Sequence, residues 1–407
     1  MVERSKCMNV PEIRFKEFDE EWSENLLEDF FTKVTSKNRK LKYSAVLTNS
    51  AEYGIIGQLD YFDFDVTNSN NIGGYFIVEP DDFVYNPRVS VSAPVGPINR
   101  NRLGYTGIMS PLYLVFKING INKDFLCYYY KTKKWHRFMK LSGNCGARFD
   151  RLSISDDKFV KMPIIHPNNT KEQNQICKVF ENLDDLIEES TLRLVSLKRI
   201  KAASLQSMFP QEGETVPKVR FKGFKEGWEK EKLGNLFKER IENNINGELL
   251  SVTINNGIIK ASDNGRFDNS NNDKSHYKVV KIGDIVYNTM RMWQGASGYS
   301  AYEGIVSPAY TVIIPQEQVF PLFFAYLFKT QSLINRFRIH SQGLTTDTWN
   351  LKFAGFSIIE VSFPKSKLEQ QKIASYFCNL DKQISLQTQR LEKLKQIKAA
   401  CLDKMFV

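Results

Sequence analysis

The sequence predicts an α+β protein made of two repeated globular domains, each followed by a long helix, with the two helices paired as an antiparallel coiled coil. Three observations carry this prediction. A heptad-spaced apolar stripe occurs twice, a set of short motifs recurs in the same order in both halves, and the segments between them hold alternating apolar runs bounded by Gly, Asn and Pro.

The stripe comes first. Residues 172–209 and 369–406 align without a gap at an offset of 197 (369 − 172 and 406 − 209). The first copy places Ile176, Phe180, Leu183, Ile187, Leu194 and Leu197 at steps of four and three, with one polar slot at Ser190. The second repeats it with Ile373, Phe377, Leu380, Ile384, Leu391 and Leu394, and Gln387 in the polar slot. Such a spacing is the seam of a coiled coil, and a helix carrying it needs a partner to bury it. At a rise of about 1.5 Å per residue each helix is roughly 55 Å long. Charge favours antiparallel pairing, because the acidic block Glu181, Asp184, Asp185, Glu188 and Glu189 then lies beside the basic block Arg390, Lys393, Lys395 and Lys398. The polar slots, with Lys201 and Lys398 at matched positions further on, read as register devices.

Composition bounds the rest. With 407 residues and 42% hydrophobic content the chain has room for more than one core, and no apolar run reaches membrane-spanning length. The opening MVERSKCMNV has no apolar core after its charges, so neither a leader nor a membrane span is expected and the cytoplasm is the default location. A net charge of +10 suits a polyanionic partner. The six cysteines, Cys7, Cys127, Cys145, Cys177, Cys378 and Cys401, form no CxxC pair, which argues for ordinary thiols over a metal or disulfide framework.

Taken in order, a tail (1–9) precedes a first globular domain (10–168), a helix (169–209), a polar linker (210–216), a second domain (217–366) and the second helix (367–407). VPEIRFKEF at Val10 is answered by VPKVRFKGF at Val216, and each leads to a tryptophan, Trp22 and Trp228. DFVYN at Asp82 is answered by DIVYN at Asp284, GIMSPLY at Gly107 by GIVSPAY at Gly304, and FLCYYYKT at Phe125 by FFAYLFKT at Phe323. The offset drifts from 206 (Trp22 to Trp228) through 202 (Asp82 to Asp284) to 197, so loops differ in length on a kept framework. Strands are predicted around residues 75–78, 112–116, 278–282 and 310–314, short helices at 125–131 and 321–330, and a last strand before each long helix at 162–167 and 358–364. The repeat also implies that the helix end near Phe406 lies close to the start of the chain, as Phe209 lies close to Val216.

The loops between the matched motifs do not match. After the shared Tyr-Asn, the first half has Asn86, Arg88, Arg100 and Arg102, and the second has Asn288, Arg291, Trp293 and Gln294. Ahead of the last strand, Arg148 and Arg151 stand opposite Thr345, Thr346, Thr348 and Asn350. Arg forks onto guanine, Asn and Gln pair with adenine, and Lys and Arg hold phosphates, so two like scaffolds with unlike polar loops suit the reading of two short DNA targets. Catalytic signatures are missing. There is no GxxxxGK[ST] and no HExxH, the Asn86-Pro87-Arg88 run falls short of the Asn-Pro-Pro-aromatic motif of amino methyltransferases, and His136, His166, His276 and His340 occupy unrelated positions in the two halves. Neither a catalytic nor a metal site is assigned.

The VPxxRF openings, the VYN and SPxY pairs and the Pro, EQ and helix passages from Pro167 and Pro364 together resemble the specificity (S) subunits of type I restriction-modification systems, over almost the whole chain. The resemblance implies that each globular domain is a target recognition domain for one half of a split, asymmetric site on double-stranded DNA, and that the paired helices act as a ruler for the unread spacer. It further implies two modification subunits, which bring S-adenosylmethionine and methylate adenine, and two restriction subunits, which bring ATP/Mg-driven cleavage. This chain would then carry no cofactor and no chemistry of its own. Competing readings are a self-sufficient fused methyltransferase or endonuclease, and a coiled-coil scaffold without a DNA role.

Overall fold

Residues 9–61, 69–145, 150–211, 213–254, 256–264, 273–346 and 348–407 are described by the computed structural model. The repeat in the sequence is a repeat of structure. The chain divides into two units, Met1–Ser190 with Arg390–Val407, and Thr191–Gln389, so each unit takes its globular part and a portion of both long helices.

In the first unit a four-stranded antiparallel sheet runs in the order Phe31–Lys33, Leu114–Ile118, Phe83–Tyr85, Ile98–Arg100. The central strands are apolar at every position but the exposed Lys117, because each face carries a core and successive side chains point to opposite faces. Phe83, Tyr85 and Phe116 enter an aromatic core with Trp22, Phe125 and Phe180, while Val84 and Val115 enter a smaller cluster with Leu47, Val78 and Met109. The hairpin Leu47–Ser50 with Gly54–Gly57, the pair Phe76–Val78 with Gly107–Met109, and the pair Ser23–Leu26 with Pro163–His166 complete the unit.

The second unit is built the same way, with the isolated bridge between Gln342 and Asn350 where the first pairs Asn144–Cys145 with Leu152–Ser153. Its sheet runs Phe237–Glu239, Tyr310–Pro315, Ile285–Asn288, Ser297–Tyr299. Ile285, Tyr287 and Ile313 face the aromatic core and Val286 and Val312 the smaller cluster. The accessory pairs are Leu250–Thr253 with Gly257–Lys260, Lys278–Val280 with Gly304–Val306, and Glu229–Lys232 with Glu360–Phe363.

Side-chain bonds explain the recurring motifs. Arg14 of the opening VPEIRF places Nε and Nη2 on the carboxylate of Glu172 at 2.7 and 2.9 Å, and Trp22 Nε1 donates to the same carboxylate at 3.2 Å. Arg220 and Trp228 hold Glu369 in the same way, at 2.7, 2.8 and 3.4 Å. The opening strap, the tryptophan and the start of the long helix are therefore one buried cluster in each unit. The glutamine after each of these glutamates is equally committed: Gln173 Nε2 donates to Pro167 O and Gln370 Nε2 to Pro364 O, while their Oε1 atoms accept from Asn122 N and Phe320 N. Gly107 and Gly304 are needed because a neighbouring segment crosses directly over them. A Cβ would lie 2.9 Å from Ala45 O in one unit and 2.3 Å from Glu248 O in the other.

The long helices span Thr170–Ser207 and Lys367–Lys404 and pack together antiparallel. In the first unit Lys398 pairs with Asp184, and Phe180 meets Phe406 at 5.8 Å between ring centroids. In the second, Lys201 pairs with Asp381 at 2.5 Å, Ser204 bonds Tyr376 at 2.9 Å, and Phe209 stacks on Phe377 at 5.7 Å. Lys398 and Asp184 are one ion pair between the basic and acidic blocks, and Lys201 with Asp381 is a pair outside them. Ile176, Phe180, Leu194, Leu197, Ile373, Phe377 and Leu380 are buried, as are the polar slots Ser190 and Gln387. Leu183, Ile187, Ile384, Leu391 and Leu394 are half-buried.

The strap after Val10 meets the end of the second long helix in the first unit, where Ile13 N donates to Lys404 O at 3.0 Å, and Val219 N makes the matching bond to Ser207 O at 2.9 Å in the second, while Met1 lies outside the described residues. Cys127, Cys177, Cys378 and Cys401 are free thiols, and burial pushes the Cys177 thiol up to about 12, which keeps it protonated and unreactive. Cys7 lies outside the described residues.

Candidate nucleic-acid interface

In each unit the two loops that differ most between the halves are brought side by side at the end of the central sheet. The junction is the same bond in both. Leu152 N donates to Pro87 O at 2.9 Å in the first unit, and Leu351 N donates to Thr289 O at 2.9 Å in the second. The sheet strand ending in Tyr-Asn thus delivers one loop, and the segment preceding the last strand delivers the other.

Asn86 and Asn288 shape the start of their loops. Asn86 Oδ1 accepts from Arg88 N at 3.0 Å, and Asn288 Oδ1 accepts from Met290 N at 3.0 Å, an Asx turn in both cases. Asn86 Nδ2 is also engaged, donating to Asn49 O at 2.9 Å. Asn49 is buried, and its amide donates to Val84 O at 2.7 Å and accepts from Asn99 Nδ2 at 2.7 Å. This asparagine network fixes the floor of the first site. The second unit has Val252 and Gly298 at the matching strand positions, so its floor is apolar and lies close against Gly257.

Above that network the first unit opens a cleft of about 620 Å³, with Arg88 and Arg151 on its wall beside Gln58, Tyr75, Ser110 and Tyr113. Arg88 and Arg151 face each other across an antiparallel bridge, and among the described residues neither is paired with a carboxylate. Two uncommitted guanidinium groups on one wall can fork onto phosphate or onto a guanine edge. Arg148 lies outside the described residues.

Arg100 and Arg102 are placed elsewhere. Arg100 bonds Asp81 at 2.8 Å and Asp124 at 3.0 Å, and Arg102 pairs with Asp124 as well. The Arg100 guanidinium holds the Asp81 carboxyl below its usual range. These two arginines fasten the strand Ile98–Arg100 to the short helix Lys123–Tyr129, and they do not line the cleft.

In the second unit Arg291 is exposed at the head of the turn Met292–Gln294. The turn is anchored by the buried Met292 and closed by Gly295 at φ +80°, the left-handed region that favours glycine. Trp293 meets Trp349 edge to face at 5.2 Å, which joins this turn to the other loop. There Gln342 and Asn350 are bridged, and Thr345 and Thr348 close a turn on each other, Thr345 N donating to Thr348 Oγ1 at 3.0 Å, with Thr346 exposed at its tip. Asn350 Oδ1 is buried without a partner among the described residues. Arg291, Trp293, Gln294, the threonine turn and Asn350 therefore form one neighbourhood. All of them lie in loops that diverge between the halves. The cleft residues on and beside Leu47–Ser50 carried no such signal, because a strand in a framework position looks structural.

Among the described residues no three His, Cys, Asp or Glu side chains are grouped to hold a metal, and no helix is long and apolar enough to cross a membrane.

Comparison with known proteins agrees with this architecture. The model of the family described as type I restriction modification DNA specificity domain matches residues 19–198 and again residues 225–396. A type I restriction-modification system S subunit from M. genitalium is similar in structure, at 13% identity and a TM-score of 0.55, over 98% of this chain and 99% of that one. A second solved chain, from work on complex assembly and conformational transition of the type I R-M system, is similar at 12% identity and a TM-score of 0.52, over 95% and 97%. No curated protein matches the sequence. With two copies of the DNA specificity domain, each coinciding with one globular part and its long helix, the chain belongs to the specificity subunit family of type I restriction-modification systems.

Proposed function

We propose that this chain reads a two-part DNA target, one part per unit, and so addresses a type I complex to its sites. One observation carries the reading: the same loop pair is held by the same bond in both units, yet the residues presented differ, with Arg88 and Arg151 in one and Arg291, Trp293 and Gln294 in the other. A protein that only scaffolds has no use for different polar groups at matched positions. A net charge of +10 supplies the sequence-independent attraction to phosphate on which base reading is superimposed. The paired helices set the length of the unread spacer, and they carry the docking faces for two modification subunits. S-adenosylmethionine belongs to those subunits, and ATP with Mg to two restriction subunits, so this chain supplies the address and its partners the chemistry.

Co-expression with modification subunits, followed by genome-wide mapping of N6-methyladenine, tests this. The unaltered chain is expected to give one two-part motif. Arg88→Ala and Arg291→Ala are each expected to relax a different part of it, at a cost of about 1 to 3 kcal/mol for a lost base contact. Equal weakening at all sequences by either variant would mark a phosphate contact instead. Methyl transfer by the purified chain alone would favour the fused-enzyme reading.

A further inference from the structure

The second unit contains a lysine whose bonds are unlike those of its counterpart in the first. Lys329 follows the short helix Pro321–Leu327 and is half-buried. It donates to three backbone carbonyls: Gly295 O, Ser297 O at 2.8 Å and Ile254 O at 3.2 Å. An alkylammonium has three N–H donors, and here each has an acceptor. Burying this charge is costly unless such bonds are made, so the three carbonyls and the amine fix one another in place.

The three carbonyls lie at informative points. Gly295 closes the turn that carries Arg291, Trp293 and Gln294, Ser297 opens the strand that follows it, and Ile254 begins the turn of the neighbouring hairpin. One side chain thus ties the C-terminal end of the reading loop to a second loop and to a helix in the core. The matching residue of the first unit, Lys131, instead lies 3.8 Å from Asp184 and 4.7 Å above the Tyr128 ring. The same lysine position serves the helix pair in one unit and the reading loop in the other.

We propose that Lys329 is a positioning residue for base selectivity in the second unit, holding the loop of Arg291, Trp293 and Gln294 in the shape that reads DNA. The proposal rests on the reading of these loops as DNA contacts. Losing the clamp frees the loop end without touching any group that would meet a base, so the expected signature is tolerance of wrong bases in one part of the target and not a uniform loss of binding.

The experiment uses the full chain assembled with modification subunits and compares methylation of cognate duplexes with duplexes carrying one mismatch in either part. Lys329→Met keeps the length of the side chain and removes the donors. It is expected to cut discrimination in one part about tenfold, the scale of one well-aligned base contact, and to leave the other part unchanged. Lys131→Met is expected to leave discrimination in both parts intact. Unchanged discrimination in Lys329→Met, or a loss shared equally by both parts, overturns the proposal. Failure of the unaltered chain to show a two-part target would instead remove the reading beneath it, and the proposal with it.

A second measurement needs no substitution. Burial, aided by the charge of Lys201 on the first long helix and opposed by Asp381 on the second, pushes the Lys329 amine down to about 8. Above that pH the neutral amine has two donors for three carbonyls. Raising the pH from about 7 to about 9 is therefore expected to lower discrimination in the part that Arg291→Ala relaxes, more than in the other. Equal discrimination in the two parts across that range contradicts the proposal.

Discussion

Phe406→Ala, just past the second long helix, is expected to destabilise the first unit. Phe406 is 1% exposed and packs against Phe125, Tyr129 and Phe180 at 5.2, 6.3 and 5.8 Å. Truncating a buried phenylalanine costs about 3 to 5 kcal/mol, from lost transfer energy and from the cavity left behind. For a unit of this size that corresponds to a fall of roughly 10 °C in its melting temperature. Hydrogen exchange read by mass spectrometry locates the effect: protection is expected to fall in Met1–Ser190, while peptides of Thr191–Gln389 stay protected. Phe209→Ala is expected to do the converse, because Phe209 packs on Phe323, Phe377 and Trp228 within the second unit. Loss of protection in the opposite unit would contradict this division of the chain.

The second large effect belongs to Glu369. Its carboxylate is 1% exposed, takes both bonds of the Arg220 fork and accepts from Trp228 Nε1. Glu369→Ala leaves Arg220, whose side chain is only 12% exposed, without its counter-charge, and breaking such a buried pair costs about 3 to 5 kcal/mol. The loss is expected to appear as a lower urea midpoint for the second unit, with Glu172→Ala doing the same to the first. Lys365→Ala makes a useful contrast, since the Lys365 and Glu229 side chains are 74% and 51% exposed and such pairs contribute about 0 to 1 kcal/mol. Should Glu369→Ala be as mild as Lys365→Ala, the cluster would not be what fastens the strap to the helix.

These effects show how far the sequence could be read. The heptad stripe and the gapless repeat announced the paired helices and the charge blocks their antiparallel sense, with Lys398 and Asp184 as one pair from those blocks, whereas the pairing of Lys201 with Asp381 was not legible in the sequence. Alternating runs located one central strand of each sheet, Leu114–Ile118 and Tyr310–Pro315, while the other, Phe83–Tyr85 and Ile285–Asn288, was legible only as a repeated motif because three apolar residues in a row show no alternation. What stayed hidden depends on contacts between distant segments. Arg100 and Arg102 carry the same chemistry as Arg88, and only strand register shows that Asp81 and Asp124 neutralise them. Lys131 and Lys329 occupy one position of a shared motif, yet a short left-handed turn at Gly295 redirects carbonyls to one of them. The asparagine floor under the first cleft was invisible for the same reason, since Asn49 sits inside a framework strand.

The central claim is that each unit reads its own part of the target. The measurement that tests it most directly is an N6-methyladenine map made with residues 10–168 exchanged for the equivalent domain of a relative, in the presence of modification subunits. The predicted result is a motif with one part replaced, the other part kept and the spacer unaltered. A map in which both parts change together, or in which neither does, would contradict it.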